Sequence, residues 1–181
     1  ELEQIGRRKN RDYFVLKKII LNNLYGVDIM PEAGEIARLR LFLKLAAQVD
    51  RREDLEPFPD LDLNVKTGNL LVGVATPRDA EIRFSTDLLG HTELQEIQIA
   101  ANAMSTVYRE FITLQTRGND PVAIGMCKEE VASLVPEMRS KLDRYLYGRA
   151  GTANPYEDWV SADLPFHWFI EFPHVFEAGG F

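Results

Sequence analysis

Apolar residues change their spacing twice along the N-terminal part of the chain. Within residues 1–22 they recur among charges at the spacing of a helix with one buried face: Phe14, Leu16, Ile19 and Ile20. Residues 24–29 then form a short apolar run rich in strand-forming side chains. Pro31 follows, and proline suits the first turn of a helix. The pattern predicts a helix, a short strand and a second helix that begins near residue 31.

The second helix carries nearly continuous apolar residues between positions 33 and 47, among them Ile36, Leu39 and Leu43. A helix that is apolar around most of its circumference is usually buried on more than one side. We therefore expect it to lie between a sheet and another layer. Charges and two prolines in residues 50–60 predict a loop.

A second strand is predicted after this loop. Leu61, Leu63 and Val65 alternate with polar residues, and the strand should end near Thr67. A turn containing Gly68 follows, so the chain should leave the sheet at this point.

The middle of the chain has the 3/4 spacing of a coiled-coil seam. In residues 92–118 the seam positions are Leu94, Ile97, Ala101, Met104, Tyr108 and Phe111. Residues 117–121 break the pattern, and it returns at Val131, Leu134, Met138, Leu142 and Tyr145. Two long antiparallel helices joined by a tight turn explain this repeat.

The last segment, residues 150–181, is dense in aromatics and prolines and is unsuited to one regular helix. It is too apolar to remain exposed, so we expect it to pack against the sheet. The chain then divides into a core at residues 1–91, a helical hairpin at 92–149 and an aromatic tail at 150–181.

Composition narrows the function classes. The 181 residues are 45% hydrophobic and 27% charged, as in a globular protein. A net charge of -7 argues against a surface that holds a phosphate backbone by itself, and we interpret the basic residues 7–11 as a solvated helix face. Cys127 is the only cysteine, which points to a buried, unreactive thiol in a reducing compartment. No apolar stretch could span a bilayer, so we expect a cytoplasmic protein without membrane partners.

Asp28 stands where the first predicted strand gives way to a helix. In doubly wound folds the carboxyl ends of the strands line the ligand crevice, and an acid there can accept hydrogen bonds from both ribose hydroxyls of a nucleotide. Ile29 and Met30 would supply an apolar edge for the base. Alternatively, Asp28 only caps the helix that begins at Pro31. The spacing alone leaves both interpretations open.

The class of nucleotide is restricted by what precedes Asp28. A dinucleotide fingerprint needs a glycine-rich turn about 20 residues earlier. Residues 1–22 contain a single glycine, Gly6, so this fingerprint does not occur there. A nicotinamide-dependent oxidoreductase therefore finds no support beyond the acid itself.

Three blocks of sequence together resemble a known family. They are "NNLYGVDIMPEAGEIARLRLFLKLA", "FPDLDLNVKTGNLLVG" and "LPFHWFIEFPHVFEAGGF". In this order they resemble the N6-adenine DNA methyltransferase module of type II restriction-modification enzymes, particularly the type IIG polypeptides that fuse methylase and endonuclease. The helical hairpin corresponds to a variable insertion. The resemblance implies S-adenosylmethionine as cofactor and double-stranded DNA as substrate.

The resemblance also implies roles for individual residues. Asp28 matches the acid that binds the cofactor ribose, and Ile29 the apolar residue against its adenine. Asn69 falls where the family places an acidic or amide side chain that reads the adenine edge; without the resemblance it would be a turn residue. Three positions depart from the family pattern: Met30, Gly34 and Leu70.

Two features of the family's chemistry do not occur in the sequence. One is the glycine-rich loop for the methionine end of the cofactor, and the other is the Asn-Pro-Pro-Tyr motif that contacts the flipped base. Asn154-Pro155-Tyr156 is a near match, but it follows a polar loop instead of a buried strand. We therefore assign no catalytic residue, and we expect an inactive internal fragment of a longer methyltransferase that binds its cofactor weakly at best.

The prediction is thus an α/β fold, helix-rich overall, with part of a Rossmann-like methyltransferase sheet and an inserted antiparallel helical hairpin. The alternative function is a module whose hairpin docks a partner protein or DNA; charges at Met104 and Met138 should then abolish partner association. No metal site is predicted. His167 and His174 are interpreted as packing residues of the tail, because no further Cys or His cluster accompanies them and His91 is remote in sequence.

Overall fold

The structure is a computed structural model that describes residues 10–49, 51, 57–84, 88–117 and 120–181, without the side chains of residues 88–91. The basic run at residues 7–9 and the side chain of His91 lie outside these described parts. The fold is helix-rich with a small two-stranded parallel sheet. It divides into two units: unit 1 comprises residues 1–67 and 112–120, and unit 2 comprises residues 68–111 and 121–181.

Unit 1 contains helix α1 (Arg11–Asn23), strand β1 (Gly26–Asp28), helix α2 (Pro31–Ala46) and strand β2 (Val65–Thr67). The two strands pair in parallel, with Gly26 opposite Val65 and Asp28 opposite Thr67. The predicted end of the second strand at Thr67 is confirmed, as is the start of α2 at Pro31. Both strands are shorter than the patterns that predicted them, since Leu61 and Leu63 precede β2 and the first strand covers only part of residues 24–29.

Buried polar groups join these elements. Asn64, directly before β2, donates its side-chain amide to the carbonyl oxygens of Leu21 and Leu24, both at 3.1 Å. Arg38 of α2 donates to the carbonyl oxygen of Val65 at 2.9 Å. Because each bond satisfies a backbone oxygen where α1 ends or β2 begins, the helices are fixed against the strands.

Helix α1 has the predicted buried face, with one exception. Its buried side chains are Tyr13, Phe14, Lys17, Ile20 and Leu21. Leu16 is half-buried, but Ile19 is exposed, so the prediction of Ile19 as a core residue was wrong. The buried positions 13, 14, 17, 20 and 21 follow the repeat of one helix face, and Ile19 falls outside that face.

Helix α2 differs from the prediction. Only Gly34 and Leu45 of this helix are buried. Ile36, Leu39 and Leu43 are 57%, 56% and 61% exposed. The expectation that α2 is covered on more than one side was therefore wrong for unit 1, where the two short strands provide too little surface to cover a 16-residue helix.

Unit 2 contains the remaining elements. These are α3 (Pro77–Phe84), α4 (Leu88–Arg117, whose last residues belong to unit 1), α5 (Pro121–Tyr147), α6 (Tyr156–Asp163), α7 (Trp168–Glu171) and α8 (Pro173–Glu177). The predicted break between the two long helices is confirmed, although Gly118 and Asn119 lie outside the described residues.

The predicted seam of α4 is confirmed at all six positions, which are buried. On α5 the predicted positions Val131, Met138 and Leu142 are buried, whereas Leu134 and Tyr145 are half-buried. Met104 and Met138 thus lie in the core. Charges at these two positions would disrupt the fold itself, so they cannot report on docking of a partner as the alternative function supposed.

The aromatic tail forms three short helices, as its prolines require. Pro165 stands in the break between α6 and α7, and Pro173 opens α8. Four tail residues are almost completely buried: Phe166, Phe169, Ile170 and Phe172. Their burial within unit 2 is confirmed, while packing of the tail on the sheet, which belongs to unit 1, stays a prediction.

Candidate functional site

Asp28 ends β1, and its carboxylate is exposed. The parallel register places Asp28 opposite Thr67, the last residue of β2, so the carboxyl ends of both strands meet at one edge of the sheet. This edge is where open α/β sheets bind ligands. Asp28 is therefore in the setting that the sequence predicted for it.

The side chain of Asp28 makes a local turn and does not cap α2. Its Oδ1 atom accepts a hydrogen bond from the backbone N–H of Met30 at 2.8 Å. The N-cap of α2 is Met30, and no side chain caps this helix. The capping alternative is therefore wrong in detail. One carboxylate oxygen holds the chain in its turn, and the second remains available to a ligand hydroxyl.

Ile29 and Met30 follow the acid and present apolar surface beside it. Both side chains are more than half exposed. A flat aromatic ring placed against them would remove this surface from water, which is favourable at roughly 25 cal/mol per Å². The acid and the apolar pair thus offer the two kinds of contact that an adenosine needs.

A cavity of about 540 Å³ adjoins β1 and one side of α2, from Ala33 near its start to Lys44 in its last turn, within unit 1. Its lining includes Asp28, Gly34, Arg40 and Lys44. The cavity has room for a nucleoside-sized ligand, since small-molecule pockets begin at about 300 Å³. The two basic side chains make this part of the lining suitable for an anionic group.

Asn69 lies in unit 2, two residues after the end of β2. Its Oδ1 atom accepts from the backbone N–H of Leu71 at 3.0 Å, and its own N–H donates to the carbonyl oxygen of Leu164 at 2.7 Å. This is the turn role considered for it. The side-chain NH₂ group is directed by this turn and can donate to a ring nitrogen.

Asp28 and Asn69 therefore share one local geometry, in which the side-chain oxygen accepts from the backbone N–H two residues later. Asp28 and Ile29 are described within unit 1 and Asn69 within unit 2. Each turn orients one polar group and leaves a second one for a ligand.

The loop that begins with Asn69 is held against residues 164–168. Phe166 donates to the carbonyl oxygen of Val72 at 2.7 Å, and Trp168 donates to that of Val74 at 3.1 Å. Gly73 has a φ of +148°, and a Cβ atom there would overlap the carbonyl of Phe166. The close approach of the two segments consequently requires glycine at position 73.

His167 also supports this loop. Its Nδ1 atom accepts from the backbone N–H of Val74 at 3.0 Å. The proton must then reside on Nε2, which donates to Asp143 Oδ1 at 2.8 Å. Both ring nitrogens are thus occupied within the protein. The sequence did not predict a role for Asp143. Its only signal in the sequence is an acid directly after the seam residue Leu142, and the structure shows that this acid is buried.

Metal binding has no support in this region. His174 is buried and stacks on Tyr108, with 4.9 Å between the ring centroids. Among the described residues, no group of three or more His, Cys, Asp and Glu side chains could hold a metal ion. The imidazole of His167 could bind a metal only by giving up a buried hydrogen bond.

The comparison with protein families matches residues 22–181 to the Eco57I restriction-modification methylase family. Because the match covers most of the chain, the protein belongs to this family.

A relative in Methanocaldococcus jannaschii is 42% identical over 87 residues and is provisionally named a type II restriction enzyme and methyltransferase. The aligned stretch is 40% of this chain and 7% of the relative. No solved structure matches the chain. Within the parts of the chain that the structure describes, no helix has the length and apolar character needed to cross a membrane.

Proposed function

We propose that the protein is part of an adenine-specific DNA methyltransferase that uses S-adenosylmethionine. In this reaction the methyl carbon leaves the sulfonium sulfur and bonds to the exocyclic nitrogen of a flipped adenine, which releases a proton, and S-adenosylhomocysteine remains. The observation that carries the proposal is Asp28, an exposed acid at the carboxyl end of a parallel strand with one oxygen committed to a turn.

Three residues would bind the cofactor. The second carboxylate oxygen of Asp28 accepts from the ribose hydroxyls, and Ile29 covers one face of the adenine. Asn69 donates its amide to the adenine edge. The exposed positions of Asp28 and Ile29 and the directed amide of Asn69 support these roles.

Catalysis needs groups that these 181 residues do not contain. The glycine-rich loop and the Asn-Pro-Pro-Tyr motif are both missing from the sequence. Tyr156 of the near match is the first residue of α6, and the motif follows the loop after α5 instead of a strand. We therefore infer that the chain is an inactive fragment and that activity belongs to a longer polypeptide.

We also infer a larger architecture. Two strands of three residues each are too short for an independent parallel sheet, which supports a Rossmann-like sheet continued by other strands. Antiparallel pairing of α4 and α5 is supported by two observations. Lys141 pairs with Glu96 at 3.2 Å, and burial, together with the nearby charge of Glu110, raises the pKa of Cys127. Moving 14 residues along α4 (110 − 96) moves 14 residues back along α5 (141 − 127).

The remaining proposals concern the division of the chain into domains and the location of the longer protein in the cell. Residues 1–91 would form part of the cofactor-binding core, residues 92–149 the inserted hairpin, and residues 150–181 the tail that leads to the catalytic strand. The longer protein would act on double-stranded DNA in the cytoplasm.

Binding of S-adenosylmethionine to the 181-residue chain tests the proposal. Calorimetry should show no micromolar affinity. Titration to millimolar cofactor should shift the amide NMR resonances of residues 28–30. Asp28→Ala should abolish these shifts, whereas Asp28→Asn should keep the Met30 turn and weaken binding.

Asp12→Ala is the matched control, because it removes an exposed carboxylate from α1 of the same unit. Its titration should follow that of the parent chain. Micromolar affinity would contradict the fragment interpretation. Shifts that persist in Asp28→Ala would contradict the role of the acid.

A further inference from the structure

Two polar pairs join α5 to residues 167–171 within unit 2. Asp143 Oδ1 accepts from Nε2 of His167 at 2.8 Å, and Nε of Arg139 donates to Glu171 Oε1 at 3.1 Å. The partners are spaced four residues apart on both segments, so one face of α5 supplies both contacts. Asp143, His167 and Glu171 are each at most 2% exposed. Polar groups buried this deeply need hydrogen bonds, and each pair provides them.

The pair of Asp143 and His167 continues to the loop that begins with Asn69. His167 Nδ1 accepts from the backbone N–H of Val74 at 3.0 Å while Nε2 is bound to Asp143. The two ring nitrogens have fixed positions relative to one another. The contact with Asp143 therefore determines both the tautomer and the direction in which Nδ1 accepts. The orientation of the ring thus connects α5 to the backbone at Val74.

The loop is held at both of its ends. At the first end, the N–H of Asn69 donates to the carbonyl oxygen of Leu164 at 2.7 Å. At the second end, the two backbone polar groups of Val74 are bound by Nδ1 of His167 and by the N–H of Trp168. A short loop with both ends fixed has few conformations left, so the turn at Asn69 keeps one geometry.

We propose that Asp143 and His167 are positioning residues of the cofactor site. They hold Val74, and through it the loop in which the side-chain amide of Asn69 is oriented. The inference rests on the proposed function in one respect, that Asn69 contacts the adenine of the cofactor. It gives α5 a part in cofactor binding, so the predicted hairpin at residues 92–149 supports the cofactor loop in addition to forming the core of unit 2.

NMR spectroscopy of the isotope-labelled 181-residue chain tests the first step and needs no cofactor. The parent chain should show a scalar coupling between the amide nitrogen of Val74 and Nδ1 of His167, because an N–H···N hydrogen bond transmits such a coupling. The nitrogen shifts of the ring should place its proton on Nε2. The backbone order parameters at residues 69–73 should be about 0.85, as in rigid backbone.

Two substitutions of Asp143 separate its hydrogen bond from its packing. Asp143→Ala removes the acceptor of Nε2, so the coupling to Val74 should be lost and the order parameters at residues 69–73 should fall below about 0.6. Asp143→Asn keeps a side-chain oxygen that can accept from Nε2, so coupling and order should both be retained. In a titration with millimolar S-adenosylmethionine, followed at Asn69, Asp143→Ala should bind about threefold to tenfold more weakly and Asp143→Asn like the parent chain.

Arg139→Ala is the matched control, because Arg139 lies one turn from Asp143 on α5 and binds Glu171 instead of His167. It should lower the melting temperature, as Asp143→Ala does. The Val74 coupling, the order of residues 69–73 and the cofactor affinity should nevertheless remain those of the parent chain.

The double variant Asp143→Leu/His167→Phe guards against failure of Asp143→Ala to fold. It replaces both buried partners by apolar groups, so neither partner is left without a hydrogen bond. Its fold should persist by circular dichroism, while the order of residues 69–73 should be lost as in Asp143→Ala.

Unchanged order at residues 69–73 in Asp143→Ala or in the double variant would overturn the proposal. A loss of order in Arg139→Ala equal to that in Asp143→Ala would also overturn it, because the effect would then be one of general stability. A parent chain in which the cofactor shifts no resonance contradicts the proposed function itself. Cofactor shifts at residues 28–30, combined with a loop whose order does not depend on Asp143, would overturn this inference alone.

Discussion

Helix α2 leaves Ile36, Leu39 and Leu43 more than half exposed, whereas α4 buries Ile97 and Met104 almost completely. Both helices carry these side chains at spacings of three and four, so their patterns are alike. The two helices differ in the residues that surround them. In unit 2, α4 is covered by apolar side chains and is also held by hydrogen bonds, such as the one that the Tyr108 hydroxyl donates to the carbonyl oxygen of Glu171 at 2.8 Å. A periodic pattern therefore identifies a face that can be buried without showing what covers it.

The largest difference in stability between the two helices is expected when a charged side chain is placed on the exposed face of α2 and on the buried face of α4. Met104→Lys places an ammonium group in the core of unit 2 and should destabilise it by more than about 4 kcal/mol. Leu39→Lys should change the free energy of unfolding by less than about 0.5 kcal/mol, since that side chain is already exposed. Urea denaturation followed by circular dichroism measures both. Equal losses would show that the face of α2 is covered in solution.

Replacing an isoleucine by alanine on each helix compares the same two faces through a smaller change in stability. Ile97→Ala removes a buried side chain and leaves a cavity, which should cost about 2–5 kcal/mol. Ile36→Ala should cost less than about 1 kcal/mol, chiefly from the apolar contact that the half-exposed side chain retains. Ile99, which is exposed on α4 itself, provides a control within the same helix. If Ile99→Ala cost as much as Ile97→Ala, the assignment of the seam would be wrong.

Thiol reactivity compares the exposed face of α2 with a buried position of α5, the helix that follows α4. Burial, aided by Glu110 and Glu130, raises the pKa of the Cys127 thiol. Cys127 should therefore react with a disulfide reagent at pH 8 at least about tenfold more slowly than a cysteine placed on α2 by Leu39→Cys. Labelling is followed by absorbance, with Cys127→Ser to isolate the new thiol. Equal rates in the folded state would contradict the burial of this part of α5.

The smallest expected effect concerns Glu177, a carboxylate at the end of α8 that contacts Ser105 and Arg109 on α4. A hydrogen bond from Ser105, together with Arg109 at 2.9 Å, lowers the pKa of Glu177 from its usual value. This carboxylate therefore stabilises the fold at pH values above the usual pKa of a glutamate, and its contribution is lost as the pH falls through the lowered pKa. Glu177→Gln should flatten the acid limb of the melting temperature against pH only slightly. An acid limb identical to that of the parent chain would show that the contact contributes no stability.

Much of the fold followed from local pattern. The six seam positions of α4 and the end of β2 at Thr67 were predictable because apolar periodicity and turn residues act over short distances. The burial of α2 was not predictable, because it depends on surfaces distant in sequence. The site behaved in the same way. Asp28 was identified from its place between strand and helix, whereas its bond to Met30 depends on a side-chain rotamer.

The supports of the site were the least predictable part. His167 and Asp143 meet although 24 residues separate them, and neither pattern nor spacing relates them. Gly73 is needed because Phe166 passes close to it, a contact across more than ninety residues of chain. Such pairs are set by tertiary packing, which a single sequence does not reveal.

The hydrogen bonds between residues 72–74 and 166–168 bring both ends of the intervening segment to one place. Closing a long loop costs only slightly more entropy when the loop becomes longer. Loop-closure entropy therefore limits the length of this segment only weakly, whereas the hydrogen bonds of His167 to Asp143 and of Tyr108 to Glu171 limit which side chains it can carry. The segment between residues 74 and 166 can therefore vary in length among related proteins, while its two ends stay joined beside the loop that begins with Asn69.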